Sequence, residues 1–510
     1  MSRRLLVGAI AVVVAIAVAM RFASTSHLWL DEALTVNISR LPLRDLPAAL
    51  RRDGSPPLYY AMLHLWMRVF GTGDVAVRGL PGLLGVIAIP LAYFCGGRLR
   101  SAGLRNPGRT FDQTAAVTTM LVIATSPWAI RYSTENRPYS LAIVLTLLGY
   151  FVATRALRSP TRGALAAVAV VTAALVYTTY WAFFLLAIVV LMLCILWFRA
   201  APAERGTAVR LLGAIAAGGV LFIPWLPSFA TQLAHTGTPW GTGPRPVVVV
   251  TTITQFGGSN YLVARFVTVL LVAITLIALA DVAIPRISPA GDADGARRVR
   301  LVFAIGVTTL LVGVGEAMLS NTAYQVRYAA VVFPFVALVA GAVLLEPKVR
   351  VVVMSLLVVF SLVAAQHWIT MERTSSPFVA AVINEKARAG DVVVYCPDQV
   401  GPATTRLIHE STDLLELTFP SGGSPRIVNW TDYAKRNEAA DPLEFAREIR
   451  AHARHNTIWY VWSPGYLTYG SKCETLVIDL GIGRPPGRGV VPLHGTVEHV
   501  ALVEYPSPTR

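Results

Sequence analysis

Charge is scarce in this chain: Asp, Glu, Lys and Arg make up 14% of its 510 residues, where a soluble globular protein carries about a quarter. With 55% hydrophobic residues and a mean hydropathy of +0.57, the shortage excludes an ordinary soluble domain and makes this an integral membrane protein. Cysteine is scarcer still. Of four, Cys95 and Cys194 fall in apolar runs and read as buried free thiols, leaving Cys396 and Cys473 for a disulfide in an oxidising compartment. No Cys or second His stands at ligand spacing from His27, so no metal site is assigned from spacing and no cofactor is assigned, a divalent cation being left open. The Gly-rich "GTPWGTGP" has neither a Walker nor a dinucleotide pattern. No repeat of 20–50 residues and no low-complexity tract is present.

What charge there is sums to +15. That excess invites a nucleic-acid partner until its distribution is examined. Apolar segments long enough for a bilayer core, which needs roughly 20 residues, lie near 1–22, 76–96, 112–130, 138–154, 163–179, 181–198, 211–226, 260–283, 301–320, 327–345 and 351–368. They predict about eleven transmembrane helices, the first an uncleaved one. With Met1 in the cytoplasm, the inside loops carry Arg98, Arg100, Arg105 and Arg109; Arg155, Arg158 and Arg162; Arg199, Arg205 and Arg210; Arg286, Arg297, Arg298 and Arg300; and Lys348 and Arg350. Every short basic loop falls on one side, as orientation by positive charge requires. No nucleic acid is needed to explain the charge. Counting "PPLYYAMLHLWMRVFG" as a further crossing would put those loops outside, so it is expected as an interfacial helix on the outer face, after an amphipathic "LPLRDLPAALRR". The first outer loop, 24–75, is therefore elaborate.

Composition turns polar after Trp368. The sequence predicts two units: a transmembrane module over 1–368 and an extracytoplasmic α/β domain over 369–510, outside because an odd number of spans precedes it. A helix is expected over 378–389 and strands at "DVVVYC", "NTIWYVWS", "ETLVIDL" and "HVALVEY".

The ionisable residues gather on the outer side. Asp31 and Glu32 follow the first span, Asp53 lies in the same loop beside Tyr59, "RYSTENRPYS" carries Arg131, Glu135, Arg137 and Tyr139, "YTTYWAF" carries Tyr180, and "NTAYQVRYAAVVFP" carries Gln325, Arg327 and Tyr328. Charges at membrane depth are functional candidates, because leaving them unpaired is costly. Tyr180 and its aromatic neighbours also suit an interfacial belt. Acids to remove a proton, arginines for an anion and aromatic walls fit transfer of a group from a lipid phosphate to a hydroxyl. A positioned carboxylate takes the hydroxyl proton; Asp31, with Glu32, is the catalytic candidate. Guanidinium groups stabilise the leaving phosphate, for which Arg131, Arg137 and Arg327 with Tyr328 are the candidates. Asp53, Tyr59, Glu135, Tyr139, Tyr180 and Gln325 are expected to line the substrate. A transporter or flippase of lipid-linked sugars is the alternative. It would use the same groups for binding, although such folds place sites near the midplane within paired repeats, and neither is read here.

"WLDEALTV", "DGSPPLYYAMLHLW", "RYSTENRPYSL", "YTTYWAFFLL" and "QVRYAAVVFPF" together resemble the polytopic GT-C glycosyltransferases of the protein O-mannosyltransferase and lipid A aminoarabinose transferase superfamily, over most of 1–345. The resemblance implies a polyprenyl-phosphate-linked sugar donor, mannose- or arabinose-like, and inversion at the sugar. It also implies an extracytoplasmic site with Asp31 as base, and a glycan, glycolipid or protein acceptor in the cell envelope. Many members have His-Pro-Pro where this chain has Ser55-Pro56-Pro57, and Thr-His-Tyr-Trp where it has Thr178-Thr179-Tyr180-Trp181. Both departures count against a zinc-dependent version. The resemblance leaves the C-terminal domain to acceptor recognition.

Overall fold

The computed structural model describes residues 3–100, 111–199, 205–259, 261–289 and 293–508; Arg105 and Arg109, two members of the predicted basic loops, lie outside them. The chain opens with α1 (Arg3–Met20). Arg21 follows it, buried, and donates to the carbonyls of Ala17, Ala124 and Ile123 at 2.7, 2.8 and 3.0 Å. A buried guanidinium is tolerable only where acceptors take its donors, and here they pin the end of α1 to a neighbouring helix.

The first outer loop folds into α2 (Leu30–Ser39), α3 (Leu46–Asp53) and α4 (Leu58–Phe70). Gly54 ends α3 at φ +86°, a left-handed value suited to glycine, and a Cβ there would lie 2.9 Å from Thr236 Oγ1. The helices α5 (Asp74–Leu99), α6 (Gln113–Thr125), α7 (Pro127–Ser133), α8 (Tyr139–Arg158), α9 (Arg162–Val176), α10 (Trp181–Arg199), α11 (Arg205–Val220), α12 (Leu226–His235), α13 (Val248–Phe256), α14 (Leu262–Ala280), α15 (Ala293–Leu319), α16 (Phe333–Gly341) and α17 (Pro347–Thr370) complete the apolar module. α5 packs on α6 and α8, α9 on α8 and α11, and α14 on α17. Gly96 permits the first of these contacts, since a Cβ there would sit 2.2 Å from Thr119 Oγ1.

Among the described residues seven helical segments are long and apolar enough to cross a membrane, the run Arg205–His235 counting as one, while α1, α6 and α9 are shorter apolar helices. The expected count of eleven does not follow from length and apolarity. Two predicted spans are broken. The interval 112–130 divides at Ser126, whose Oγ accepts from the Ala129 N–H at 3.2 Å, and Pro127 starts α7. The interval 327–345 is a 3₁₀ turn, Val326–Val331, followed by the nine residues of α16, with Pro334 in its first turn. The polar pairing of Arg327 described below holds the start of that segment at the site.

The C-terminal unit is α/β, as predicted. α18 (Ser376–Lys386) leads to β1 (Val392–Cys396), α19 (Gly401–Thr405), β2 (Leu415–Thr418), α20 (Tyr433–Ala439), α21 (Pro442–Ala453), β3 (Ile458–Trp462), α22 (Lys472–Asp479), β4 (Arg488–Val491) and β5 (Ala501–Tyr505). The strand order is β2-β1-β3-β5-β4, parallel across the first three and antiparallel from β3 to β5 and β5 to β4. Central β1 is buried along its whole length, as an unbroken apolar run in a doubly covered sheet requires. "ETLVIDL" corrects the sequence reading: it lies largely in α22, where Cys473 and Leu476, with Leu480 just after the helix, are buried at helical spacing. A short apolar run does not distinguish the two periods. Cys473 is joined to Cys396 at the end of β1. Strands β2 and β4 carry too few apolar residues to have been read from sequence.

Candidate active site

Asp31 stands in the first turn of α2, and its Oδ2 lies 3.2 Å from Arg327 Nη2 in the 3₁₀ turn before α16. Both side chains keep a partial opening, 17% for Asp31 and 21% for Arg327. Arg137, in the loop between α7 and α8, donates from Nη1 to Thr35 Oγ1 at 2.8 Å, to the Tyr60 hydroxyl at 3.2 Å and to the Asp31 carbonyl at 3.5 Å. Tyr60 in turn donates to Asp53 Oδ2 at 3.0 Å. Burial holds the Asp53 carboxyl above its ordinary range, although the charge of Arg137 pulls it down. The Nε atoms of Arg327 and Arg137 are buried and hydrogen-bond to nothing in the described structure. Two cationic donors without acceptors thus stand beside one carboxylate, and such donors can donate hydrogen bonds to an anion.

The neighbouring acid behaves differently. Glu32 is fully buried; Arg78 Nε and Nη2 donate to its two oxygens at 2.8 and 2.6 Å, the Asn136 N–H donates at 2.8 Å and Arg373 Nη1 at 3.4 Å. Burial pushes its carboxyl up, and the arginines, Arg78 above all, more than reverse that, so it stays below its usual range. With its oxygens already engaged, Glu32 does not fit the catalytic role expected from sequence. It locks α2 to α5 and to the loop that carries Arg137.

The remaining candidates divide. Tyr139 and Tyr328 are close enough to Asp31 and Arg327 to interact with both charges. Tyr59 donates to Asn136 Oδ1 at 2.8 Å and so supports that loop. Glu135 is buried with Oε1 unpartnered, and burial raises its carboxyl against the pull of Arg131 and Arg373. Arg131 lies 3.7 Å from the Trp368 ring centroid and 5.2 Å from that of Tyr132. Tyr180 donates to Gln232 Oε1 and accepts from Trp225 Nε1 at 2.9 Å, which spends its hydroxyl on α12. Gln325 is half-buried before the 3₁₀ turn and makes no side-chain cap there. Among the described residues no three His, Cys, Asp or Glu side chains stand together as a cation cage, and no step below passes through a metal.

The sequence reading missed the groups that come from afar. Arg78, inside an otherwise apolar helix, carried a signal as a charge at membrane depth. Arg373 and Glu498 carried none. Arg373 joins α17 to α18 and donates to the Thr134 carbonyl and hydroxyl at 2.8 and 2.7 Å. Glu498, before β5, is buried and accepts from the Leu30 N–H at 3.3 Å. α2 has no side-chain cap of its own, so a carboxyl from the C-terminal domain caps the helix that carries Asp31.

No family model and no curated protein sequence matches this chain significantly. Solved structures do. ArnT from Cupriavidus metallidurans bound to undecaprenyl phosphate matches with a TM-score of 0.54 at 14% identity, over 97% of this chain and 98% of that one. The arabinofuranosyltransferase AftD from Mycobacteria matches with a TM-score of 0.50 at 16% identity, over 100% of this chain and 42% of that one. At such identities the likeness concerns architecture, and it extends through the C-terminal unit as well as the helices. This chain has the GT-C fold, the fold of the polytopic membrane glycosyltransferases ArnT and AftD.

Proposed function

We propose that the chain is an integral membrane glycosyltransferase. It moves a mannose- or arabinose-like sugar from a polyprenyl phosphate to a hydroxyl of a glycan, glycolipid or protein, with inversion. The observation that carries this reading is Asp31: a partly open carboxylate 3.2 Å from Arg327, beside buried Nε donors of Arg327 and Arg137 that lack an acceptor. The donor's phosphate supplies that acceptor. Asp31 takes the proton of the attacking hydroxyl as its oxygen bonds to the anomeric carbon, and the bond from that carbon to the phosphate oxygen breaks. The electron pair leaves with the lipid phosphate, whose growing charge Arg327 and Arg137 stabilise.

Orientation belongs to the same proposal. The N-terminus and basic loops face the cytoplasm, and the site and C-terminal domain face outward. No nucleotide sugar is supplied there, so a lipid-borne donor is required; the undecaprenyl phosphate bound to ArnT supports this class. The test is transfer of radiolabel by purified protein from a panel of polyprenyl-phosphate sugars to membrane-extract acceptors, with Asp31→Asn alongside. Label moved by the wild type and lost in the variant is the expected result. Donor binding by both proteins with transfer by neither would make the chain a lipid-linked sugar transporter instead.

A further inference from the structure

A cavity of about 1030 Å³ lies between the first outer loop and the C-terminal domain, and Asp31, Arg137 and Arg327 do not line it. Arg40, which does, directly follows α2 in a helical backbone conformation nine positions after Asp31, about two and a half helical turns, which turns it away from the Asp31 side of the helix. Three guanidinium groups converge there. Arg40 Nη2 donates to Thr72 Oγ1 at 2.9 Å. Arg406 donates to Asp74 Oδ1 at 3.0 and 3.3 Å and to the Thr72 carbonyl, while its Nη1 is buried without a partner. Arg426 pairs with the exposed Glu410 at 3.1 Å. Asp74 is shared with His27 at 3.0 Å, so two carboxylates serve three arginines and a histidine. Partial burial lowers the basicity of Arg40, and the charges of Arg406 and Arg426 lower it further. An anion in the cavity would relieve that repulsion and take the orphaned donor.

The other wall is apolar: Phe22 just past α1, Trp66 and Phe70 of α4, and Val75 at the start of α5. Beside it Leu65, Val69, Phe70 and Val75 are 55%, 74%, 56% and 77% exposed. Apolar side chains this open at the ends of apolar helices belong at the level of lipid headgroups. We propose that this cavity binds the phosphate-bearing headgroup of an anionic bilayer lipid, with the guanidinium groups on the phosphate and the aromatic wall along the upper acyl chains. The lipid would bridge the two units, since Arg406 belongs to the C-terminal domain and Arg40, Thr72 and Asp74 to the membrane module. The site is separate from the phosphate position proposed at Asp31 and stands whether or not transfer is observed.

The experiment is native mass spectrometry of the full chain in detergent, titrated with phosphatidylglycerol or phosphatidylcholine, with wild type, Arg40→Gln and Arg426→Gln. Phosphatidylglycerol retained in preference to phosphatidylcholine, and a fall of about five-fold in that preference for each variant, is expected. Arg426 is largely exposed, so its variant reports even if Arg40→Gln fails to fold. Equal retention of the two lipids, an unchanged preference in Arg426→Gln, or full displacement of phosphatidylglycerol by millimolar inorganic phosphate would overturn the proposal, the last by making the ligand a soluble anion.

Discussion

Asp31 and Glu32 leave the same turn of α2 for different surroundings, and two substitutions separate their uses. Asp31→Asn keeps the shape and removes the base, so transfer is expected to fall by about 10²–10⁴-fold with the thermal unfolding midpoint little changed. Glu32→Gln takes from Arg78 and Arg373, both buried, the carboxylate with which each forms its ion pair. Removing one partner of such a buried ion pair costs about 3–5 kcal/mol, so this variant is expected to unfold at lower temperature. Calorimetry and the transfer assay on the same two preparations decide it, and an unstable Asp31→Asn beside a stable, inactive Glu32→Gln would exchange the assignments.

At the scale of the element, α2 depends on a cap from another unit. Burial, with a contribution from the charge of Asp31, raises the Glu498 carboxyl to about 8. An acid whose folded value lies above its unfolded value of roughly 4.3 holds its proton more tightly in the native state. Its contribution to stability is full below the unfolded value and is lost as pH rises through about 8. Glu498→Gln cannot ionise and still accepts from Leu30. The variant is therefore expected to lose less stability than the wild type between pH 7 and 9, read as unfolding midpoints against pH; parallel curves would mean that Glu498 does not titrate in that range. The same dependence argues for an effect on kcat above pH 8, since an ionised Glu498 repels Asp31.

For the whole molecule, the division of charge between the two ends makes orientation testable. Glu448 is exposed on α21, and Glu448→Cys is expected to react with a membrane-impermeant maleimide in intact cells. Labelling only after permeabilisation would place the C-terminal domain in the cytoplasm and reverse the orientation argued from Arg98, Arg155 and Arg298. The disulfide between Cys396 and Cys473, 77 residues apart, ties β1 to α22. Cys396→Ser is expected to cost about 2–5 kcal/mol, measured by denaturation of the oxidised protein.

Sequence alone determined that the first part of the chain is built of apolar helices, though not their number or the breaks at Ser126 and before α16, because a backbone in hydrocarbon must satisfy itself and a long apolar segment has little choice but helix. It also determined that Asp31, Arg137 and Arg327 share one end of the molecule, since the basic loops assign each turn to a side. Tertiary structure decided which acid keeps a partial opening and which is enclosed by donors. The partners of Glu32 stand 46 and 341 residues away in Arg78 and Arg373, and the cap of α2 lies 468 residues from Leu30. The use of a carboxylate follows from burial and from the donors around it. Those donors are set by packing between distant segments, which no local pattern records.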